Sequence, residues 1–482
     1  MQSDNAVLAS DAVLALAFIG DLSMGRPTDH SARTGWLAAQ TVAAAGGGEQ
    51  DCHHAHLVSL LRWSGCTANA AGFDELFGDD VGGRNAMLTH TLSVSGSGMQ
   101  QKIAPLAQIH CEVSGDIAAT LGMPLCVENS LRHIFATYDG QAGLDGLPSE
   151  EVPLLVYGVA LASDLEILSR AHGLEAALRY IGEQADHKYP AALVATLIQH
   201  ADGWLAELNE MSWSGPAASR FLSGADHQVQ LSLVADVIDL KLPWMAGYSR
   251  AVADLALAAA SLQGLDEQAG AQLYRAGLIH GIGRAALPNS LWNTPTRLLE
   301  SDWERMRLTP YWTSRAARQI DGLAAEGGLA SYVYERHDGS GYFRGVGGDA
   351  LSPAQRLLAV AAVWIALRSA RPWRAAFTPA EAVALMKQEV AHGKFESHAV
   401  HAVLAAAQGD SLISLPKAQV LLSDREASVL RRISLGESSK EVARVLEISP
   451  STVRTHVESI FRKLGCSTRA AATLKAFTLG LL

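Results

Sequence analysis

Residues 422–472 read LSDREASVLRRISLGESSKEVARVLEISPSTVRTHVESIFRKLGCSTRAAA, and their punctuation lays out a run of short helices. Ser423-Asp-Arg-Glu426 and Ser438-Ser-Lys-Glu441 both fit a capping box, in which the serine closes the first turn and the glutamate reaches back to it. The second box opens a helix that ends at Glu447-Ile448-Ser449. Ser449 then caps the next helix, with Pro450 at the first helical position, where a missing N–H costs nothing. That helix runs to about Leu464 and stops at Gly465. Val453, Val457, Ile460, Phe461 and Leu464 share its buried face and leave Ser451, Arg454, Thr455, Glu458 and Arg462 on the other. A short helix, a tight turn and a second helix with a polar face make a unit that can enter a DNA major groove.

Charge agrees with that placement. The chain has 482 residues and a formal net charge of −11. Residues 423–482 hold ten basic and six acidic side chains, a net of +4, so residues 1–422 carry −15. An acidic body with a small basic tail directs only the tail toward a polyanion. The length exceeds one core, and an Ala- and Leu-rich composition with 6% aromatics favours helices. No uninterrupted apolar run reaches the length of a membrane span, so no membrane partner is expected. The N-terminal segment has no basic region of a secretory leader. Cys52, Cys66, Cys111, Cys126 and Cys466 form no CxxC pair and are odd in number, which fits a reducing cytoplasm.

The tail closely resembles the LuxR-type (NarL/FixJ-like) DNA-binding domain over essentially its whole length. The SxRE start, the G-x-S-x-K-E-V-A helix, SPSTVRTH and the KLG stop are all in register. The resemblance implies a four-helix domain at 420–482 that binds double-stranded DNA. It makes Arg454, Thr455 and Glu458 base-facing, with Arg454 suited to guanine and Glu458 to cytosine. Lys440, Thr452, His456 and Lys463 become phosphate-facing or positioning residues. The last helix, about Thr468–Leu479, would pair two domains on a near-palindromic site, which implies a homodimer.

The body repeats itself. A shift of 218 places Asp21-Leu22 on Asp239-Leu240, His30-Ser31 on Tyr248-Ser249, and Leu60 and Gly65 on Leu278 and Gly283. A shift of 199 then places His110 on Thr309 and Asp139-Gly140 on Asp338-Gly339. The difference is an insertion in the first copy between Thr67 and Ile103. Two tandem helical domains, 1–210 and 211–412, follow, and the fold class expected for the chain is all-α.

The second copy carries LIHGIGR, RLTPYW, ERHDGSGYFRG, RLLAVAAVW and RPWRAAF, and resembles the HD-GYP phosphohydrolase domain. Enzymes of that family hold two or three metal ions on His and Asp ligands and hydrolyse cyclic-dinucleotide phosphodiesters. Matched by position, the second copy has Tyr248 for the first His, His280-Gly281 for the His-Asp pair and Arg284 for the following Lys. It has Thr309 for the next His, Val333-Tyr334 for the His-His pair and Ala362 for the final Asp. The first copy retains His30, His110 and Asp164 but reads Arg62-Trp63 and Ile134-Phe135 at the paired positions. These remnants are too few for a metal, so no metal, no cofactor and no catalytic residue is assigned. Asp338-Gly-Ser-Gly-Tyr342 keeps a turn whose glycines permit positive φ, as a retained scaffold would.

Cys52-His53-His54-Ala55-His56 is the densest run of ligand-type residues, though on a helix only His53 and His56 share a face. Cys66 reads as a small buried hydrophobe. Trp63, Tyr248, His280, Trp312 and Tyr334 sit at or near lost ligand positions and form a candidate ligand pocket, for which core filling is the competing reading. The expectation is a cytoplasmic, dimeric transcription regulator whose pseudoenzyme body senses a small-molecule or protein effector. The alternative is a residual metal-dependent cyclic-dinucleotide phosphodiesterase with a DNA-binding output.

Overall fold

The computed structural model describes residues 5–92, 97–141, 152–211, 213, 225–408 and 422–482. The chain divides into two compact units, residues 8–229 and residues 230–482 joined by the segment that ends at Val7. Both are helical. The strands among the described residues are two three-residue segments, Ala6–Leu8 and Gln228–Gln230. No helix is long and apolar enough to cross a membrane among the described residues.

The first unit begins with α1 (Ala9–Ser23), in which every residue is buried, as expected of a helix apolar nearly all round. It continues with α2 (His30–Ala44), α3 (Glu49–Leu61), a 3-10 turn at Ser64–Cys66, α4 (Ala70–Phe77) and α5 (Asp80–Leu88). The long α6 (Ser97–Thr120), α7 (Leu125–Arg132), α8 (Leu154–His172), α9 (Leu174–Glu183) and α10 (Ala191–Glu210) complete it. Helix α2 packs between α3 and α8 at its centre.

The second unit opens with α11 (Ser232–Asp239), α12 (Tyr248–Leu262), α13 (Glu267–Ile279) and a 3-10 turn at Ile282–Ala286. Then come α14 (Asn289–Asn293), α15 (Glu300–Arg307), α16 (Thr309–Ala317), α17 (Ala324–Ala330), α18 (Pro353–Arg368), α19 (Pro379–Ala391) and α20 (Ser397–Gln408). Four tail helices follow: α21 (Asp424–Ser434), α22 (Ser439–Leu446), α23 (Pro450–Leu464) and α24 (Arg469–Thr478).

Equivalent elements recur at the offsets read from the sequence. Helices α2 and α3 start at His30 and Glu49, and α12 and α13 start 218 residues on, at Tyr248 and Glu267. Asp21 accepts from Ser31 N and Oγ at 3.1 and 2.6 Å, and Asp239 accepts from Ser249 N and Oγ at 2.7 Å each. Gly65 N donates to Ser114 Oγ at 3.0 Å, and Gly283 N donates to Thr313 Oγ1 at 3.0 Å. The connection expected at 410–421 lies outside the described residues.

The tail folds as its caps direct. Ser423 and Glu426 exchange both capping bonds, at 3.2 and 2.7 Å, and Ser438 and Glu441 do so at 3.4 and 2.7 Å. Helix α22 ends on Glu447 in the left-handed region, φ 53°, where glycine or asparagine is usual. Its final carbonyl, Leu446 O, accepts from Arg425 Nη2 at 2.5 Å. Val429, Leu430, Val442, Val453, Ile460, Leu464, Ala472 and Ala476 form the tail's own core.

Candidate functional site

Helix α23 turns Val453, Ile460 and Leu464 inward, and Thr452, Arg454, Thr455, Glu458 and Arg462 are exposed. Arg454, Thr455 and Glu458 therefore stand on one open face, as the pattern requires. Thr455 Oγ1 donates to Ser451 O at 3.2 Å, and Thr452 Oγ1 shares a hydrogen bond with the cap Ser449 Oγ at 2.8 Å. His456 is half-buried, and Lys440 is exposed on α22. Lys463 has a further task. Its Nζ lies 2.7 Å from Oε2 of Glu426, whose Oε1 accepts from Ser459 at 2.7 Å. Lys463, Ser459 and Ser423 hold the Glu426 carboxyl at about 2 against the upward push of its partial burial. Lys463 thus ties α23 to the cap of α21, a long-range contact that no local pattern announces.

In the second unit, the residues at the resemblance's metal-ligand positions close on a guanidinium. Arg284, 1% exposed, donates from Nη1 to Asp239 Oδ1 at 2.8 Å and from Nη2 to His280 Nε2 at 2.7 Å. Since Nε2 accepts, the assigned tautomer of His280 carries its proton on Nδ1, which donates to Gly277 O at 2.6 Å. Burial, and then the Arg284 charge, pulls His280 down to about 3, so the ring is neutral. The Arg284 guanidinium sits 5.0 Å from the Tyr248 ring centre, and Tyr248 OH donates to Ala362 O at 2.9 Å. Thr313, one turn beyond Thr309, donates to His280 O at 3.1 Å.

The remnant residues of the first unit are each held by a different partner. His30 Nδ1 lies 2.6 Å from Glu166 Oε2, with both side chains fully buried. His110 Nε2 donates to Arg62 O at 2.7 Å, which leaves Nδ1 facing Cys66 Sγ at 3.7 Å. Burial above all draws His110 down to about 3. Asp164 Oδ2 accepts from Lys188 Nζ at 2.6 Å and from Tyr189 OH. Among the described residues, no group of three or more His, Cys, Asp or Glu side chains is arranged to hold a metal ion. Cys126 Sγ, on α7, lies 3.1 Å from His54 Nδ1 of the Cys52–His56 run.

The residues of the candidate aromatic pocket have the following surroundings. Trp63 belongs to the first unit and the other four candidates to the second. Tyr248 and His280 pack on Arg284, Tyr334 stacks on Tyr342 with ring centres 5.1 Å apart, and Trp312 lies edge-on to Tyr311 at 5.2 Å. A 390 Å³ cavity in the second unit is lined instead by residues including Gln272, Arg318, Tyr332, Arg344 and Gln355. Sequence reasoning missed Glu166 altogether, because an acidic residue two places after Asp164 in the largely apolar α8 gives no hint of its partners.

Comparison with known proteins places these sites. Residues 232–398 match the HD domain family, and residues 420–476 match the bacterial regulatory proteins of the luxR family. The chain is 24% identical over 424 residues to 3'3'-cGAMP-specific phosphodiesterase 3 of Vibrio cholerae serotype O1, covering 80% of this chain and 92% of that protein. It is 48% identical over 62 residues to the probable transcriptional regulatory protein NarL of Mycobacterium tuberculosis, covering 13% of this chain and 29% of that protein. A crystal structure of a cyclic GMP-AMP specific phosphodiesterase from V. cholerae has the same fold, with a TM-score of 0.60 and 20% identity over 85% of this chain and 99% of that one. The chain therefore carries an HD domain and a C-terminal LuxR-family helix-turn-helix domain, and has HD-type phosphodiesterases and a NarL-type regulator among its relatives.

Proposed function

We propose that the chain is a dimeric, cytoplasmic transcription regulator in which two catalytically silent HD-type domains, 1–210 and 211–412, receive an effector, and the tail, 420–482, reads DNA. The observation that carries this reading is Arg284. A permanently charged guanidinium, standing where the resemblance places a lysine, is bonded to both Asp239 and His280, and so takes up the imidazole that stands at a ligand position. His280 spends its Nε2 lone pair on Arg284, and Tyr248, Gly281, Thr309, Val333 and Ala362 supply no imidazole or carboxylate. The donor set does not fit a metal ion, so no hydrolytic step is derived for it.

In the tail, Arg454 and Glu458 would contact base edges, with Thr455 beside them. Lys440, Thr452 and His456 would fix the helix on phosphates. Two tails must reach half-sites about one helical turn apart, so an effector that changes how the body holds them changes affinity.

A second reading rests on the relatives: a phosphodiesterase for 3'3'-cGAMP or another cyclic dinucleotide, with a DNA-binding output. Elemental analysis of the purified full chain and incubation with 3'3'-cGAMP and cyclic di-GMP in manganese or iron separate the two. The regulator reading expects no stoichiometric metal and no turnover. It also expects Arg454→Ala to weaken binding to a selected duplex about tenfold or more, the loss of one bidentate base contact. Turnover with a bound metal would establish the second reading in its place.

A further inference from the structure

Arg62 follows α3 and is 5% exposed. Its guanidinium carbon lies 4.0 Å from the ring centre of Trp63, itself 3% exposed. Neither Nε nor Nη1 of Arg62 has a hydrogen-bond partner among the described residues, and neither has Nε1 of Trp63. Two consecutive residues thus bring three kinds of N–H donor out of water with no acceptor. Such a donor forfeits its hydrogen bonds to water, at greatest cost on a charged group, and native structures rarely leave one without a reason.

The neighbouring carboxylates do not supply the acceptor. Asp164 accepts from Lys188 and Tyr189, and Asp21 accepts from Ser31 N and Oγ. The Arg62 carbonyl is pinned by His110 at 2.7 Å, so the residue is fixed where it stands. Burial lowers its guanidinium to about 10, with the Asp164 charge opposing, which leaves it cationic at neutral pH. The second unit provides an internal comparison. At the position 218 residues on from Arg62 stands His280, and the cation beside it, Arg284, reaches Asp239 and His280 through both Nη atoms. In the repeated fold, Arg284 leaves only Nε without a partner while both Nη atoms are bonded, whereas Arg62 leaves Nε and Nη1 without one.

We propose that Arg62 and Trp63 form a receptor for a small oxyanion, a phosphate or carboxylate group, inside the first unit. The guanidinium supplies charge and donors, the indole N–H adds a further donor, and the stacked ring holds the guanidinium in place. This deepens the receptor role proposed above and rests on it. It assigns that role to the first HD-type copy, with the second copy closed by its own arginine.

The test is calorimetric titration of the full chain with inorganic phosphate, with acetate and with a linear dinucleotide phosphodiester. Saturable binding near one per chain is expected for at least one of them. Phosphate or acetate identifies a free oxyanion, and the phosphodiester alone identifies a nucleotide-borne one. Arg62→Met abolishes the binding. Trp63→Phe, which keeps the ring and so the packing, weakens it about tenfold, as loss of one hydrogen bond to a charged group would. Arg318→Met, in the cavity of the second unit, leaves it unchanged. No saturable heat with any probe, or heat that survives Arg62→Met and Trp63→Phe, overturns the proposal. DNA binding by fluorescence anisotropy on the same preparation keeps the two readings apart. A chain that binds DNA but no anion refutes the receptor site alone, whereas one that binds the anion but no DNA refutes the regulator.

Discussion

Glu166 shows how much a single buried carboxylate can organise. It is fully buried and meets His30 at 2.6 Å, Arg33 at 3.0 Å and Arg170 at 2.6 Å, with Arg26 at 3.9 Å. Burial alone would raise its pKa, but His30, then Arg170 and Arg33, outweigh that and hold it at about 2. A carboxylate held below its unfolded value contributes stability that is complete above about pH 4.5 and is lost as pH falls toward 2. The difference between those values corresponds to roughly 3 kcal/mol. Glu166→Gln is therefore expected to lower the stability of the first unit by about 3 kcal/mol at pH 7. It should also remove the acid limb between pH 4.5 and 2 in urea unfolding. A variant that keeps the wild-type pH dependence would show that other groups carry it. The same network holds His30, read from the sequence as a remnant metal ligand, against Glu166.

At the scale of elements, the 3-10 turns after α3 and α13 are fixed by close backbone approach. A methyl group on Gly65 would lie 2.4 Å from His110 O, and one on Gly283 would lie 1.9 Å from Thr309 O. Both obstacles are carbonyl oxygens, which cannot swing aside as a flexible side chain can. Gly283→Ala is expected to cost at least about 2 kcal/mol, within the range for overpacking a core. Gly65→Ala should cost somewhat less, read as shifts in urea midpoint at constant slope. Equal, negligible costs would mean that the turns are free to open. These turns also mark what the sequence could reveal. Gly65 and Gly283 emerged at a constant offset because a repeated backbone needs its glycines in the same places. The caps at Ser423, Ser438 and Ser449 were legible because each is settled within four residues. The pairings of Arg284 with Asp239, Glu166 with His30 and Lys463 with Glu426 were not, since each spans at least 37 positions, nor was the unpartnered state of Arg62 Nε and Nη1.

At the scale of the molecule, the second unit joins a body half to the tail, and Phe477 lies at the join. Phe477 is half-buried but does not belong to the tail's own core. Its ring lies against Gly247, 3.1 Å from where a Cβ would be, and 5.9 Å from the Arg250 guanidinium, which is itself locked to Asp236 at 2.6 and 2.5 Å. Gly247 has φ +77°, so the position is glycine's both for its backbone and for the room it leaves the ring. Gly436, in the turn between α21 and α22, rests on Pro243 in the same way. In the dimer proposed above, α24 would also be the helix that pairs two tails. If both uses draw on one face, holding the tail against the body competes with pairing it on DNA. Uncovering a partly buried phenyl ring, some 40–60 Å² at about 25 cal/mol per Å², removes roughly 1–1.5 kcal/mol from the held state. Where the held state dominates, apparent DNA affinity is multiplied by the fraction released. Phe477→Ala in the full chain should then bind a selected palindromic duplex several-fold to tenfold more tightly by fluorescence anisotropy. The tail core is untouched, so its thermal unfolding should be unchanged. Unaltered affinity with a stable tail would mean that the contact restrains nothing, and weaker affinity would place Phe477 in the paired interface itself.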